Sequence, residues 1–295
     1  MMRFTKMHAL GNDYVYVETF TQKPCEGYSY DIPALARFVS HRRYGIGSDG
    51  LVLIAPSDKA DLRMIMYNLD GTEAQMCGNA LRSVGKYAYT RGLVTSTEFT
   101  VETASGVKDL SVTLDSSGKV ISVRANIGEP VFDEAIKLSE VTIAGRSFKI
   151  SAASVGNPHC VTFIDDVDTL DIEKYGSPLE VHSLFPEKTN VEFARVIDRS
   201  TVKMRVWERG CGETWACGSG SCATAAVGIS LGLIDHRVSV VQKGGTLIVE
   251  WNRDGNGIWL ESDAEFVFDG TLDESAPERY ERIYANAPDR FAQLI

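Results

Sequence analysis

Two cysteines stand at matching places in this 295-residue chain. Cys77 lies in EAQMCGNAL (73–81) and Cys217 in ETWACGSGS (213–221), each four residues after a glutamate and directly before a glycine. A stretch with helical composition follows each, running to Gly92 in one case and Gly232 in the other. A thiol at a helix entry faces unpaired backbone N–H groups and the positive end of the helix dipole, which favour the thiolate. Its pKa can thereby fall well below the free value of about 8.5. The same N–H groups can hold a carboxylate, and glycine lets the backbone approach it closely. Gly78-Asn79 and Gly218-Ser219 thus read as two anion cradles, each beside a thiol.

A carboxylate held between two such entries would have one sulfur on each side of its α-carbon. Inverting that carbon needs a base on one face and an acid on the other, and a thiolate and a thiol can exchange these roles. The helix ends would hold the charge that develops in the carbanion-like transition state. The two thiols need one proton between them, so they titrate as a pair. No electron-sink motif is visible, and no phosphate loop of the form G-x-x-x-x-G-K-S/T occurs, so no cofactor is expected. A switchable disulfide between Cys77 and Cys217 is the competing chemical reading. A metal site would have to recruit His8, His159 or Cys211 without recognisable spacing, so none is expected.

The two cysteine motifs belong to a longer duplication. At an offset of 140 residues, RMIMYNLDGTEAQMCGN (63–79) lies ungapped over KMRVWERGCGETWACGS (203–219). Towards the front the offset becomes 145, and Leu10-Gly11-Asn12 meets Val155-Gly156-Asn157. Each half reads as an alternating strand, a glycine-containing loop with the cysteine, one helix of about 14 residues capped by Gly92 or Gly232, and further β-rich sequence. The expected fold is α+β: two pseudo-symmetric, β-rich domains, each wrapped around a central helix; if they face each other across a cleft, both helix entries point at one ligand and the active site lies there. The expected division is 1–130 with Cys77, 131–270 with Cys217, and a tail at 271–295 read as a surface helix.

Composition narrows the class. The formal charge of −10 and the lack of any Lys/Arg block beyond HRR at 41–43 argue against nucleic acid as a partner. No apolar run of 18 residues occurs and the first residues lack an apolar leader, so neither a membrane partner nor export is expected and the location is read as cytoplasmic. Six cysteines without a C-x-x-C pair do not form a disulfide framework or a zinc ribbon.

At these residues the chain resembles the diaminopimelate epimerase family. The resemblance extends through MHALGNDYVYV (7–17), RRYGIGSDGLVLI (42–54), ASVGNPHCV (153–161), TNVEF (189–193) and RVWERGCGETWACGSGSCA (205–223). It implies a cofactor-free isomerase that interconverts LL- and meso-2,6-diaminopimelate in lysine and peptidoglycan precursor synthesis, commonly as a homodimer. It implies Cys77 and Cys217 as the acid/base pair, and Gly78-Asn79 and Gly218-Ser219 as the cradle of the reacting carboxylate. It further assigns Asn12, Asn68, Asn157, Asn190, Glu208 and Arg209 to the distal amino-acid end of the substrate, and His159 and Glu208 to tuning the thiols. Arg209 suits a carboxylate, while Glu208 and the asparagine carbonyls suit an ammonium group.

Taken alone, several of these residues have plainer readings. His159 suits a turn, Asn12, Asn68 and Asn190 suit loops, and adjacent Glu208 and Arg209 would point to opposite faces of a regular strand. The family role needs that strand to stop or bulge at Gly210-Cys211-Gly212. The chain also departs from the family at Gly50, where some members carry glutamine, and at Leu69, Ala80, Ser83 and Ser262-Asp263-Ala264. Relatives of this fold that act on histidine, and proline racemases with their two thiols, keep the choice of amino acid open. The distal residues favour a substrate with a second zwitterionic end.

Overall fold

The computed structural model describes residues 1–286. Its first elements are β1 (Met2–Ala9), β2 (Asn12–Glu18), α1 (Ile32–Ser40), β3 (Gly50–Ala55), β4 (Leu62–Asn68), β5 (Glu73–Ala74) and α2 (Gly78–Thr90). Next come β6 (Glu98–Thr103), β7 (Gly106–Leu114), β8 (Val120–Gly128), β9 (Val131–Asp133), β10 (Ser139–Ile143), β11 (Arg146–Ser154) and β12 (Pro158–Phe163). The chain continues with α3 (Ile172–Glu180), β13 (Asn190–Asp198), β14 (Thr201–Glu208), β15 (Gly212–Thr214) and α4 (Gly218–Ser230). It ends with β16 (Arg237–Gln242), β17 (Gly245–Glu250), β18 (Ile258–Ser262), β19 (Glu265–Leu272) and α5 (Ala276–Asn286). Strands outweigh helices, as an α+β fold requires.

The elements form two compact units. One takes Met1–Val123 together with the chain from Asp263 onward, and the other is Arg124–Ser262. This differs from the expected division at residue 130 and from the separate tail. The reason is β19, which pairs antiparallel along β1, with Met2 opposite Leu272 and His8 opposite Glu265. The tail is also more than a surface helix. Residues 271 and 272 belong to β19, and α5 lays Tyr280, only 5% exposed, against Phe38 of α1 with ring centroids 5.4 Å apart. The part of that expectation at 287–295 lies outside the described residues.

The duplication is visible in the strand pairing. The first unit runs β19-β1-β2-β3-β4-β6-β7, with β2–β3 and β4–β6 parallel and the other neighbours antiparallel. The second runs β10-β11-β12-β13-β14-β16-β17-β18, with β12–β13 and β14–β16 parallel. Registers repeat residue for residue: Tyr14 faces Gly50 as His159 faces Asn190, and Leu51 faces Tyr67 as Val191 faces Trp207. A parallel pair needs a crossover. In each unit one crossover carries the central helix (α2 or α4) and the other a second helix (α1 or α3), which a reading of one helix per half missed. Asp31 and Asp171 cap those second helices at the same offset of 140 residues, accepting from Ala34 N at 2.9 Å and Lys174 N at 3.2 Å.

The central helices are buried on nearly every side. In α2 every residue from Gly78 to Ala88 is buried, and α4 packs against β11, β12, β13, β16, β17 and β18. Small residues permit this: a Cβ on Gly228 would lie 2.7 Å from Ile234, and one on Gly85 would lie 2.8 Å from Val123. Both helices end alike, with Gly92 at φ 73° and Gly232 at φ 71°, and with Leu93 N and Leu233 N bonding back to Ala88 O and Gly228 O at 2.8 and 2.9 Å. That is the six-to-one closure of a left-handed cap.

Two charged side chains, Arg82 and Lys86, are buried within α2. The Lys86 side chain, 4% exposed in α2, reaches Asp263 Oδ1 at 2.7 Å, and the same oxygen accepts from Ala264 N at 2.7 Å. The matching position in α4 is Ala226, fully buried. The departure at Ser262-Asp263-Ala264 thus supplies the counter-ion for a lysine that the other half lacks. Asp263→Ala is expected to destabilise the protein by about 2 kcal/mol in urea unfolding, since it strands a buried ammonium whose partner is part-exposed. Adding Lys86→Met should recover most of that loss.

Candidate active site

In the first unit Cys77 is the residue that precedes α2, with φ −132° and ψ 122°. Its Sγ donates to Asn12 Oδ1 at 3.4 Å, and Asn79 Nδ2 donates to the same oxygen at 3.3 Å. The Asn12 amide is itself held from behind, since its Nδ2 donates to Asp49 Oδ2 at 2.8 Å. Arg42 bridges Asp49 and Asp13 at 3.0 and 2.9 Å, and Lys6 pairs with Asp13 at 2.6 Å. Burial raises the Asp13 carboxyl, but Arg42 and Lys6 outweigh it and hold the group below the usual carboxylate range. Asp49 is pushed up, first by burial and further by the Asp13 charge. Below the helix entry, fully buried Arg82 donates to Asn79 Oδ1 at 2.8 Å and to Gly78 O at 3.3 Å, fixing that side chain too.

In the second unit Cys217 precedes α4 with nearly the same backbone, φ −121° and ψ 115°, but its sulfur has a different task. Sγ accepts the Gly220 N–H at 3.3 Å, lies 3.5 Å from Ser219 Oγ, and is 6% exposed at the residue level. Cys217 N donates to Gln242 Oε1 at 2.8 Å, and Gln242 Nε2 donates to Ser221 Oγ at 2.8 Å, which anchors the loop to β16. Burial pushes the Cys217 thiol well above its ordinary value, and the carboxylates of Glu208 and Glu192 add to the rise. The Ser219 hydroxyl and the Gly220 N–H pull in the other direction and lose. At this thiol, burial and the two carboxylates outweigh the hydroxyl and N–H that favour the anion.

The second unit gathers most of the named residues around that sulfur. His159 Nδ1 lies 2.7 Å from Glu192 Oε1, and its Nε2 lies 3.0 Å from Asn157 Oδ1. Asn157 Nδ2 donates to Ser219 Oγ at 3.3 Å. Glu208 closes β14 and accepts a short bond from Thr214 Oγ1. Burial raises its carboxyl, Glu192 adds to this, and the bonds from Thr214 and Cys217 offset part of it. The strand does stop at Glu208: Gly210 and Gly212 take φ of 77° and 81°, and Cys211 N turns back to Glu208 O at 3.0 Å. Glu208 and Arg209 are thereby released from strand alternation.

Other candidates are held by backbone. Asn190 donates to Pro158 O at 2.9 Å and accepts from Arg209 N at 3.0 Å, so its amide ties β12 to the turn after β14. Asn68 Nδ2 donates to Thr72 Oγ1 at 3.0 Å, and exposed Arg209 donates to Glu187 O at 3.2 Å. Gly50 has a packing reason of its own, since a Cβ there would lie 2.2 Å from Tyr67 O and 2.9 Å from the Tyr14 ring. Among the described residues no three His, Cys, Asp or Glu side chains gather as a metal site, and no helix is long and apolar enough to cross a membrane. Sequence reasoning passed over Asp49, Arg82 and Glu192. The duplication held a signal for Glu192, whose counterpart in the first half is Val52.

Comparison with solved structures identifies the fold. A phenazine biosynthesis protein of the PhzF family from Bacillus anthracis superposes with a TM-score of 0.69 over 92% of this chain and 99% of its own, at 16% identity. A probable proline racemase from Agrobacterium radiobacter gives 0.69 over 94% and 96%, at 14% identity. The duplicated fold is thus the one that these two structures share. Sequence narrows it further. The profile of the family described as diaminopimelate epimerase matches residues 4–132 and 151–267. A diaminopimelate epimerase from Methanococcus maripaludis is 46% identical over 92% of this chain and 100% of its own length. One from Acetivibrio thermocellus is 45% identical over 92% and 99%. The chain belongs to the diaminopimelate epimerase family, and it is an isomerase.

The environment of Cys217 sets its pH behaviour. With its pKa raised, the thiolate is a minor form near neutrality and grows only above the ordinary thiol range. Alkylation of Cys217 by iodoacetamide in the ligand-free protein, read by peptide mass, is expected to keep accelerating from pH 7 to beyond pH 9. A plateau below pH 8 would show that the helix entry dominates after all.

Proposed function

We propose that this protein interconverts LL- and meso-2,6-diaminopimelate by moving the α-proton between Cys77 and Cys217, without a cofactor. The observation that carries the reading is the placement of these two cysteines as the residues preceding α2 and α4, at one register of a duplicated fold, in a chain of this family. One thiolate takes the α-proton, and the other thiol delivers its own to the opposite face. The pair ends with its single proton on the other sulfur, ready for the reverse reaction. The first-turn N–H groups at Gly78-Asn79 and Gly218-Ser219 hold the α-carboxylate and the charge that spreads onto it.

The local geometry gives the supporting residues distinct tasks. Asn12, fixed by Asp49, offers Cys77 an acceptor oxygen that orients its sulfur at the helix entry. Glu208 lies beside Cys217 with a raised carboxyl, which suits it to share that thiol's proton while substrate enters. His159 tunes the same thiol through Asn157 and Ser219. Asn68, Asn157, Asn190, Glu208 and Arg209 take the distal ammonium and carboxylate, with Asn190 acting through the turn that it pins. Such a pocket penalises amino acids that lack a second zwitterionic centre, because its polar groups would be left unpaired. The working form is proposed to be a cytoplasmic homodimer.

Proton NMR in heavy water tests the chemistry directly. Purified reduced protein with LL-diaminopimelate is expected to lose the α-proton signal and to form the meso isomer. Cys77→Ala and Cys217→Ala should each slow conversion by at least about a hundredfold, since each removes an acid/base group. Exchange with histidine or proline in place of diaminopimelate would reassign the substrate. No exchange across that panel would remove the two-thiol reading.

A further inference from the structure

Beneath the entry of α4 lies a buried histidine–glutamate pair with no counterpart in the first half. Glu192 on β13 is 0% exposed, and its Oε1 lies 2.7 Å from Nδ1 of His159, whose side chain is equally buried. Its other oxygen, Oε2, is buried with no hydrogen-bond partner among the described residues. A run of contacts leads from this carboxylate to the thiol: His159 Nε2 to Asn157 Oδ1 at 3.0 Å, Asn157 Nδ2 to Ser219 Oγ at 3.3 Å, and Ser219 Oγ to Cys217 Sγ at 3.5 Å.

The duplication supplies an internal control. At the registers of His159, Glu192 and Gly220 the first half carries Tyr14, Val52 and Ala80, all buried. Two of these three differences are linked sterically. A Cβ on Gly220 would stand 2.7 Å from Glu192 Oε1 and 3.3 Å from Cys217 Sγ, so a methyl group at residue 220 would force this carboxylate out of its present place. Burying a carboxylate costs several kcal/mol, and packing alone does better with an apolar residue. The first half adopts that apolar solution, so burial by itself does not account for the pair in the second.

We propose that Glu192 is a positioning residue for the Cys217 half of the site: it fixes the His159 ring, and through Asn157 the Ser219 hydroxyl, against the thiol. Gly220 is the glycine that makes room for it. This inference rests on the epimerase reading above. The other ionisable groups that face the carboxylate are Glu208 from β14, Cys160 from β12 and Cys217 at the helix entry.

The test measures α-proton exchange and epimerisation for the wild type, Glu192→Gln, Glu192→Val, His159→Gln and the double variant His159→Gln/Glu192→Gln, with folding followed by circular dichroism. Glu192→Val copies the first half's own residue and serves if the glutamine variant does not fold. Either Glu192 variant is expected to fold and to lose about tenfold or more in kcat, as removal of a residue that orients a functional histidine does. The pH profile of kcat should also shift, which a purely structural defect would not cause. Because Glu192 acts through His159, the double variant should match His159→Gln within about twofold rather than multiply the two losses. A wild type that exchanges protons while both Glu192 variants keep its rate overturns the inference and leaves the epimerase reading intact. Multiplying losses overturn it as well. An inert wild type sinks the epimerase reading first.

Discussion

Everything in the site depends on where a buried helix must begin. A parallel strand pair needs a crossover, and in each half the crossover between β4 and β6, or β14 and β16, is a helix that the sheet encloses. Enclosure satisfies the flanks of α2 and α4 but not the first-turn N–H groups, which have no intrahelical acceptor. The loop between strand and helix therefore presents donors and positive potential, and the residue that precedes the helix stands among them. In both halves that residue is a cysteine. Duplication copied the constraint along with the sequence.

The copies have since diverged around the sulfur. Cys77 gives its hydrogen to an asparagine oxygen that Asp49 holds in place. Cys217 instead receives a backbone N–H and lies near the carboxylates of Glu208 and Glu192. Magnitudes explain why the helix entry does not decide the second case. A helix terminus contributes at most about 2 kcal/mol to a neighbouring charge. Full burial can move a pKa by about 3–5 units, the larger free energy. The anionic form of Cys217 is thus disfavoured at rest. A bound ligand that brings its own charge, and displaces water from the donors, changes both terms.

Much of this was legible in the chain because local chemistry and long-range register agree. The strands at 63–67 and 203–207, the cysteine loops and the capping glycines all announced themselves through alternation, glycine placement and the repeat. The second helix of each half was harder to see. The capping aspartates Asp31 and Asp171 were there, but Pro178 inside α3 argues locally against a helix that tertiary packing nonetheless enforces. The acidic network behind Asn12, and Glu192 behind His159, escaped for another reason. Each acts through a second side chain, and no spacing rule links residues that meet only after strands pair. The direction of the Cys217 pKa is not legible in the chain, because a sequence displays the helix start, whereas burial belongs to the folded chain.

The pairing of β1 with β19 carries a consequence for how the molecule comes into being. Strand β1 emerges from the ribosome long before its partner, which spans residues 265–272. Until that late segment leaves the ribosome, the first unit carries an open strand edge, a template for unwanted pairing with other chains. The second unit has no such wait, because its strands β9 to β18 come from one continuous stretch. The half that is made first is therefore the half that must finish last.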